Sequence, residues 1–448
     1  MPGPTVTFLG GVREIGGNKI LIEDGPERIL FDFGPSFSPR YDEFYLNYLK
    51  PRSTSPIKDL LEFDLIPRVR GLYSKEALQG ADLRHEPPRI DGIFLTHAHF
   101  DHAGYLEYVD PDIPVYLGAD TKILLEAIQG SSPTGYGDHP WKILSTGTPV
   151  RLGNLEVVPY PVDHSIPGAY GYLIRTSSGT VAYTGDFRKH GPRSALTERF
   201  LEAAAQAEPA ALITEGTRLG PDVRKNFTEQ TVRTEVDRVL EQTADLSLGT
   251  CYPRDIDRIG TLYQAAQNAD RSFVVSLKTA YLLTCVAGRP GFPAVPVPGA
   301  SPDLLVYGRP KRRYYKWEEP FLEGAVDADY VRANGKRLFL MLEMMHFPEL
   351  IDLRPPNGTP FIYSMSEPFS EEDLEAEVLQ NWLDHFALRK HSLHASGHCS
   401  GPEVLAIAHH LKPTTTFPVH TEHPDDFHPK GTNVVSPELG QAYAIGGP

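Results

Sequence analysis

The sequence predicts a layered α/β sandwich interrupted by a smaller α/β unit of Rossmann-like layering. Three observations carry that reading. Short apolar runs divided by glycine turns open the chain, as adjacent hairpin strands do, and from Asp91 strand and helix patterns alternate. After Thr217 the texture changes to a long helical stretch followed by alternating strands and helices, running to about Pro355. From Thr359 the alternation resumes. The expected division is therefore 1–218 and 356–448 for two parts of the sandwich, with 219–355 inserted between them. A length of 448 residues exceeds what one ordinary core accommodates, in keeping with more than one domain.

The opening strands are expected over residues 5–9, 19–23 and 28–32, where aliphatic and β-branched side chains lie between Gly-rich or Gly-Pro turns. Residues 34–88 are polar and punctuated by proline, so they read as a surface excursion with helix around 41–48. A strand at 93–95, helix after Gly104, a strand at 115–117 and a helix over 121–128 follow. Strand signals continue over 155–160, 169–176, 180–183 and 211–214. In the insertion a helix over 229–243 leads to a strand at 247–251, a helix over 255–268 and a strand at 272–276. The last part holds an expected strand at 361–364, an amphipathic helix over 371–388, and strands near 392–395 and 416–419.

Composition narrows the function classes. Hydrophobic residues make up 40% and charged residues 23%, the balance of a soluble globular protein. No apolar run approaches the roughly 18 residues of a membrane span, so no membrane partner is expected. The opening MPGPTVTFLGG lacks the basic segment and long apolar core of a secretory leader. Cys251, Cys285 and Cys399 are odd in number and scattered, which suits reduced thiols in a cytoplasm rather than a disulfide framework. The net charge of −15 argues against strong non-specific duplex binding, although a locally basic groove beside cations remains compatible with it.

The chemistry lies in THAHFDHAG, from Thr96 to Gly104. Three imidazoles and a carboxylate fall on one tight turn directly after an apolar strand, and divalent metals such as zinc take neutral imidazole nitrogen and carboxylate oxygen as ligands. His97 and His99 can face one ion while Asp101 and His102 face another. One loop cannot complete two coordination shells. His164, at a strand end before a Pro-Gly turn, is a further ligand candidate, and so is Asp186, where the strand VAYTGD terminates. A carboxylate at such a strand tip can bridge two cations.

Asp32 in FDFG, the HxHxDH run, His164 and Asp186 together resemble the metallo-β-lactamase superfamily, whose fold is an αββα sandwich with a metal site at one edge of its two sheets. Glu215 in LITEGT, His398 in HASGHCS and His420 in PVHTEH, in that order around an insertion, resemble its β-CASP branch of nucleic-acid-processing nucleases. That branch carries an inserted smaller Rossmann-like α/β domain. Within it the chain is most similar to bacterial and archaeal ribonuclease J, through GGVREIGGN, HSIP, TGDFR and the long SGHCSGPEVL to LKPTTTFPVHTE stretch.

The resemblance implies that His97, His99 and His164 hold one divalent ion, and that Asp101, His102 and His420 hold a second, with Asp186 bridging. Zinc is the expected metal, and manganese suits the same ligands. Asp32 is implied to orient ligands from behind. His398 is implied to contact the scissile phosphate or protonate the leaving group, beside Glu215 as a supporting carboxylate. Ser396, Gly397 and His394 are implied to lie where a phosphate of the strand is held. A histidine in the last motif accompanies RNA processing in this branch, so the expected activity is hydrolysis of single-stranded RNA, as a 5′-to-3′ exonuclease, an endonuclease or both. The runner-up is a small-molecule metallohydrolase of the lactonase or glyoxalase type.

The chain departs from ribonuclease J in reading Glu-Gly-Thr where Asp-Ser-Thr is usual, and in the acid- and histidine-rich Thr-Glu-His-Pro-Asp-Asp after His420. It ends soon after the last motif, so the usual C-terminal domain is expected to be missing, which argues against dimerisation through that domain, and a homodimer stays open as a partner state. Arg309, Lys311, Arg312 and Arg313 with Tyr314 and Tyr315 suit either an RNA-tracking groove or a solvated hairpin. The glycines at 10, 11, 16 and 17 read as a tight turn, without a nucleotide cofactor.

Overall fold

A computed structural model describes residues 3–37, 39–45, 48–132, 135–221, 227–366 and 374–446 of the chain. Three sheets organise it. The first begins with β1 (Thr5–Gly10), β2 (Lys19–Asp24), β3 (Glu27–Phe31), β4 (Gly92–Phe94), β5 (Val115–Leu117) and β6 (Trp141–Ile143), side by side in chain order. The second contains β7 (Val150–Leu152), β8 (Leu155–Pro161), β9 (Tyr170–Thr176), β10 (Gly179–Tyr183) and β11 (Ala211–Glu215). The third is formed by β12 (Ser247–Cys251), β13 (Ser272–Ser276), β14 (Leu304–Tyr307), β15 (Leu338–Met341), β16 (Pro360–Ser364) and β17 (Arg389–Ser392). The chain then returns: β18 (Thr415–Val419) and β19 (Asn433–Val434) extend the second sheet beyond β11, and β20 (Ala442–Ala444) closes the edge of the first beside β1.

Burial turns these sheets into layers. Val6, Phe8, Ile22 and Phe31 from the first sheet pack against Tyr172, Ile174 and Phe417 from the second, which is the core between the sheets. The opposite face of the first sheet, through Leu30, Ile93 and Leu95, packs on Leu60 of helix Pro56–Glu62 and Leu124 of helix Ala119–Gly130. The outer face of the second, through Leu173, Ala182 and Leu212, packs on helices Ser194–Gln206 and Gly401–Leu411. Helix, sheet, sheet, helix is the expected αββα sandwich.

All strand pairs of the third sheet are parallel, and it is apolar on both faces, as a sheet covered by helices on each side must be. Phe273 and Val275 meet Val236 and Leu262 on one face, whereas Leu248 and Val274 meet Leu350 and Leu383 on the other. Its order, β14-β13-β15-β12-β16-β17, differs from the Rossmann order because β15 is wedged between β13 and β12. Side-chain caps begin its helices: Asp255 accepts from Arg258 N–H at the start of Ile256–Asn268, and Ser276 from Thr279 N–H at the start of Leu277–Val286.

The insertion does not end where the sequence pattern placed it. β16 pairs with β12 and β17 with β16, so residues 360–364 and 389–392 belong to the third sheet and the boundary expected at 355 lies beyond Ser392. Strand and helix alternate with the same rhythm on both sides of 355, and only pairing distinguishes the two sheets. The strand expected near 392–395 is displaced: β17 spans Arg389–Ser392 and shares only Ser392 with that span. The amphipathic helix is observed over Leu374–His385; residues 371–373 of the expected span lie outside the described residues, as do 46–47 of the helix expected around 41–48. Among the described residues no helix is long and apolar enough to cross a membrane.

Candidate metal centre

Parallel neighbours bring their carboxyl ends side by side, and the site is built on those ends. β3 runs parallel to β4, and β10, β11 and β18 run parallel to one another. Asp32 follows β3, the HxHxDH loop follows β4, Asp186 follows β10, Glu215 ends β11 and His420 follows β18. His164 lies in the turn between β8 and β9. Asp32 and His420 both leave their strands in the left-handed region, with φ of 58° and 52°, an uncommon conformation for a residue with a Cβ and one often found at functional sites.

Two groups of side chains could each hold a metal ion. In the first, His97 Nε2 lies 2.9 Å from His99 Nδ1, and His164 Nε2 lies 3.1 Å from the same atom. In the second, His102 Nε2 lies 3.3 Å from Asp101 Oδ2 and 3.2 Å from Asp186 Oδ2, and His420 Nε2 lies 3.2 Å and 3.5 Å from the same two oxygens. Asp186 Oδ2 also stands 3.8 Å from His97 Nε2 and 3.9 Å from His164 Nε2, between the groups. A third group joins His164 and Asp186 to His398, so His398 is within ligand range as well.

The donor set fits divalent cations. His102 Nε2 and Asp186 Oδ1 are buried without a hydrogen bond, as ligand atoms aimed at a shared centre are. Burial, with neighbouring imidazoles, holds His97 and His164 far below the ordinary histidine range, and burial brings His99 down to about 4. The first group is thus neutral, with lone pairs free for a metal. In the second group burial works against charge, but Asp186, Asp101 and Asp32 overcome it and hold His102 well above its usual value. His420 is raised to about 9, with burial opposed by Asp186 and Asp101.

Residues behind the candidate ligands fix their orientation. Asp32 accepts from Thr96 N–H at 2.7 Å and from the Tyr183 hydroxyl at 2.9 Å, and its Oδ2 lies 2.9 Å from His102 Nδ1. The Thr96 hydroxyl lies 2.9 Å from His97 Nδ1, linking Asp32 to both groups. Glu215 Oε2 lies 2.9 Å from His398 Nδ1 and accepts from the Thr217 hydroxyl at 2.6 Å. That hydroxyl is also 2.9 Å from His420 Nδ1. Such outer partners set the tautomer and aim of a metal-ligating imidazole.

The Ser396–Gly397 backbone is committed to the same purpose. The Gly397 carbonyl lies 2.6 Å from His164 Nδ1, and a Cβ on Gly397 would fall 2.9 Å from His164 Cε1. Ser396 Oγ accepts from His398 N–H at 3.1 Å. His394 is engaged elsewhere, with Nδ1 3.3 Å from both Arg258 Nη1 and the Ser364 carbonyl. The glycine-rich turn supports the centre too, since the Gly11 carbonyl accepts from His420 N–H at 2.8 Å and Gly11, Gly16 and Gly17 have positive φ. In the basic run, Lys311 pairs with buried Glu318, whereas Arg312, Arg313 and Lys316 are exposed.

Sequence reasoning missed Thr96, Thr217, Tyr183 and a buried ionic bridge. Arg188 donates to Asp163 at 3.2 Å, to Glu229 at 3.2 Å and to the Ser396 carbonyl at 3.3 Å. Arg258, from the insertion, donates to Glu229 at 2.7 Å and to the Ala395 carbonyl at 3.2 Å. The bridge joins the insertion to the loop that carries His398. Thr217 and Arg188 sit inside quoted motifs, LITEGT and TGDFR, but nothing in their spacing shows the contact.

Comparison with known proteins gives the family of the segments that carry these residues. A β-lactamase superfamily domain matches residues 28–247, the span of Asp32, the HxHxDH run, His164, Asp186 and Glu215. The chain thus carries a β-lactamase superfamily domain. A Zn-dependent metallo-hydrolase RNA specificity domain matches residues 385–426, which contain His394, Ser396, Gly397, His398 and His420. Ribonuclease J of Helicobacter pylori is 23% identical over 439 residues, covering 93% of this chain and 56% of the relative. Ribonuclease J of Thermus thermophilus is 25% identical over 432 residues, covering 92% and 67%. The chain thus spans little more than half of the Helicobacter relative's length. A solved protein of unknown function from Enterococcus faecalis shares the fold, with a TM-score of 0.80 at 23% identity over 99% of this chain and all of the other.

Proposed function

We propose that the chain is a metal-dependent ribonuclease that hydrolyses phosphodiester bonds of single-stranded RNA in the cytoplasm, as a 5′-to-3′ exonuclease, an endonuclease or both. One observation carries the reading: Glu215, Thr217, His398 and His420, from three distant segments, converge on the two ligand groups. A lactone or thioester hydrolase requires the first motif, His164 and Asp186, but neither the inserted sheet nor a segment similar to an RNA specificity domain.

In this reading His97, His99 and His164 would hold one ion and Asp101, His102 and His420 the other, with the Asp186 carboxylate, near both groups, available to either. Two divalent ions, zinc by the imidazole-rich set or manganese, would when bound supply Lewis acidity that makes water a nucleophile near neutral pH and offsets phosphate charge. Asp32 holds His102, and through Thr96 also His97, in register for that task. His398, held at Nδ1 by Glu215, has its other nitrogen to donate a proton to the departing 3′ oxygen. Ser396 and Gly397 border the phosphate of the strand, and His394 supports that loop through Arg258. Single-stranded RNA is the partner, bound by a monomer or a homodimer.

The test compares 5′-monophosphate, 5′-triphosphate and circular RNA with zinc or manganese supplied. Digestion of circles requires endonucleolytic entry, whereas dependence on the monophosphate indicates trimming from the 5′ end. No cleavage of any of the three, with turnover of a lactone or thioester panel, would overturn the proposal.

A further inference from the structure

Two phenylalanines that the chain leaves in solvent adjoin Asp101, Phe100 in sequence and Phe37 in space. Phe100 is 39% exposed, and Phe37 is 59% exposed. A Cβ on Gly16 would lie 2.9 Å from Asp101 Oδ2 and 3.1 Å from Phe37 Cδ2, so ring and carboxylate are within about 6 Å of each other. Among the described residues only three phenylalanines are exposed, Phe37, Phe44 and Phe100, and two of them adjoin this one ligand candidate. Phenylalanine is among the residue types most often buried, and these two place exposed aromatic surface beside one ligand candidate.

Both rings stand on fixed backbone. Phe37 N–H donates to the Ile15 carbonyl at 3.0 Å, and its neighbour Ser36 forms a β-bridge with Gly16. Phe100 opens the short helix Phe100–Ala103, and its ring lies so near Gly104 that a Cβ there would fall 2.6 Å from Phe100 Cε2. A ring held by its backbone and left open on one face loses little further freedom when a flat partner settles on it.

We propose that Phe37 and Phe100 form a base-stacking rim beside the second ligand group, which grips a nucleobase next to the scissile phosphate and so selects unpaired strands. The inference rests on the ribonuclease reading above and adds the element that recognises the base. A phosphate drawn to the ligand groups leaves its base to find an apolar surface nearby, and exposed aromatic rings stack any base without reading its edge. In a duplex the bases are already stacked on their neighbours, and the rim would find no free face.

The experiment uses single-stranded RNA oligonucleotides with one mapped cleavage site, intact or with an abasic ribose at each position around the cleaved bond. Wild type is compared with Phe37→Ala, Phe100→Ala and Phe37→Trp, each checked for two bound metal equivalents. On intact RNA either alanine variant should lose roughly tenfold in kcat/KM, mainly through KM, while Phe37→Trp retains activity. On the abasic substrate that penalises wild type most, the alanine variants should lose little more. An equal loss on intact and abasic RNA, or no loss on either, would overturn the rim while leaving the ribonuclease reading intact. Failure of wild type to cleave RNA at all would overturn both.

Discussion

His97, His99 and His164 make a cluster of imidazoles alone, whereas Asp101, His102 and His420 mix imidazole with carboxylate, and Asp186 stands between the two. Burial depresses the first set into neutral ligands. In the second, the carboxylates hold protons on His102 and His420 that a metal must displace. One fold edge thus presents one site prepared for a cation and another already balanced by protons. The difference teaches that ligand type alone does not rank two metal sites; the charge each site carries beforehand does so as well.

The largest effect is expected where the clusters meet. Asp186→Asn should reduce RNA cleavage about 1000-fold or more and lower bound metal below two equivalents, read by elemental analysis beside a cleavage assay. Next, His97→Ala and His420→Ala should each cost about 100-fold or more in cleavage and leave one equivalent of metal, but in different clusters. Loss of both ions in either variant would collapse the comparison into a single cooperative site.

The comparison is sharpened by pH. Only a neutral imidazole ligates, so affinity at the second cluster should rise about tenfold per pH unit for each proton displaced, with the His420 contribution levelling as pH passes about 9. With His99 near 4, the first cluster should change little between about pH 6 and about pH 8, as measured by metal titration at fixed ionic strength. Asp32→Asn should then weaken metal binding about 10- to 100-fold, chiefly at the second cluster, because its Oδ2 faces His102 Nδ1. Thr217→Val removes one hydroxyl from Glu215 and the two histidines and should lower kcat by about fivefold, with metal content unchanged.

The turn that serves both clusters was more legible in the sequence than the residues that complete and surround them. THAHFDHAG is local, since one strand end and one turn put four candidate ligands within reach of each other, and composition there reports geometry directly. His420 was legible only through motif order, because it enters the site by way of β18 and a left-handed residue 319 positions from Asp101. Thr96, Thr217 and the Gly397 carbonyl were not legible, since each acts through one hydrogen bond whose partner is fixed by packing. The sandwich layers followed from alternating apolar patterns. The end of the insertion did not, because β16 and β17 resemble the strands of either sheet until they pair.

Cleavage of a 5′-labelled single-stranded RNA by the metal-loaded wild-type chain, beside its Asp186→Asn variant, tests the central claim most directly. Wild type with two equivalents of bound metal should cut the RNA, and the substitution should abolish both the cutting and the full metal complement. Equal cleavage by the two chains, or intact RNA after incubation with wild type carrying two equivalents, would contradict it.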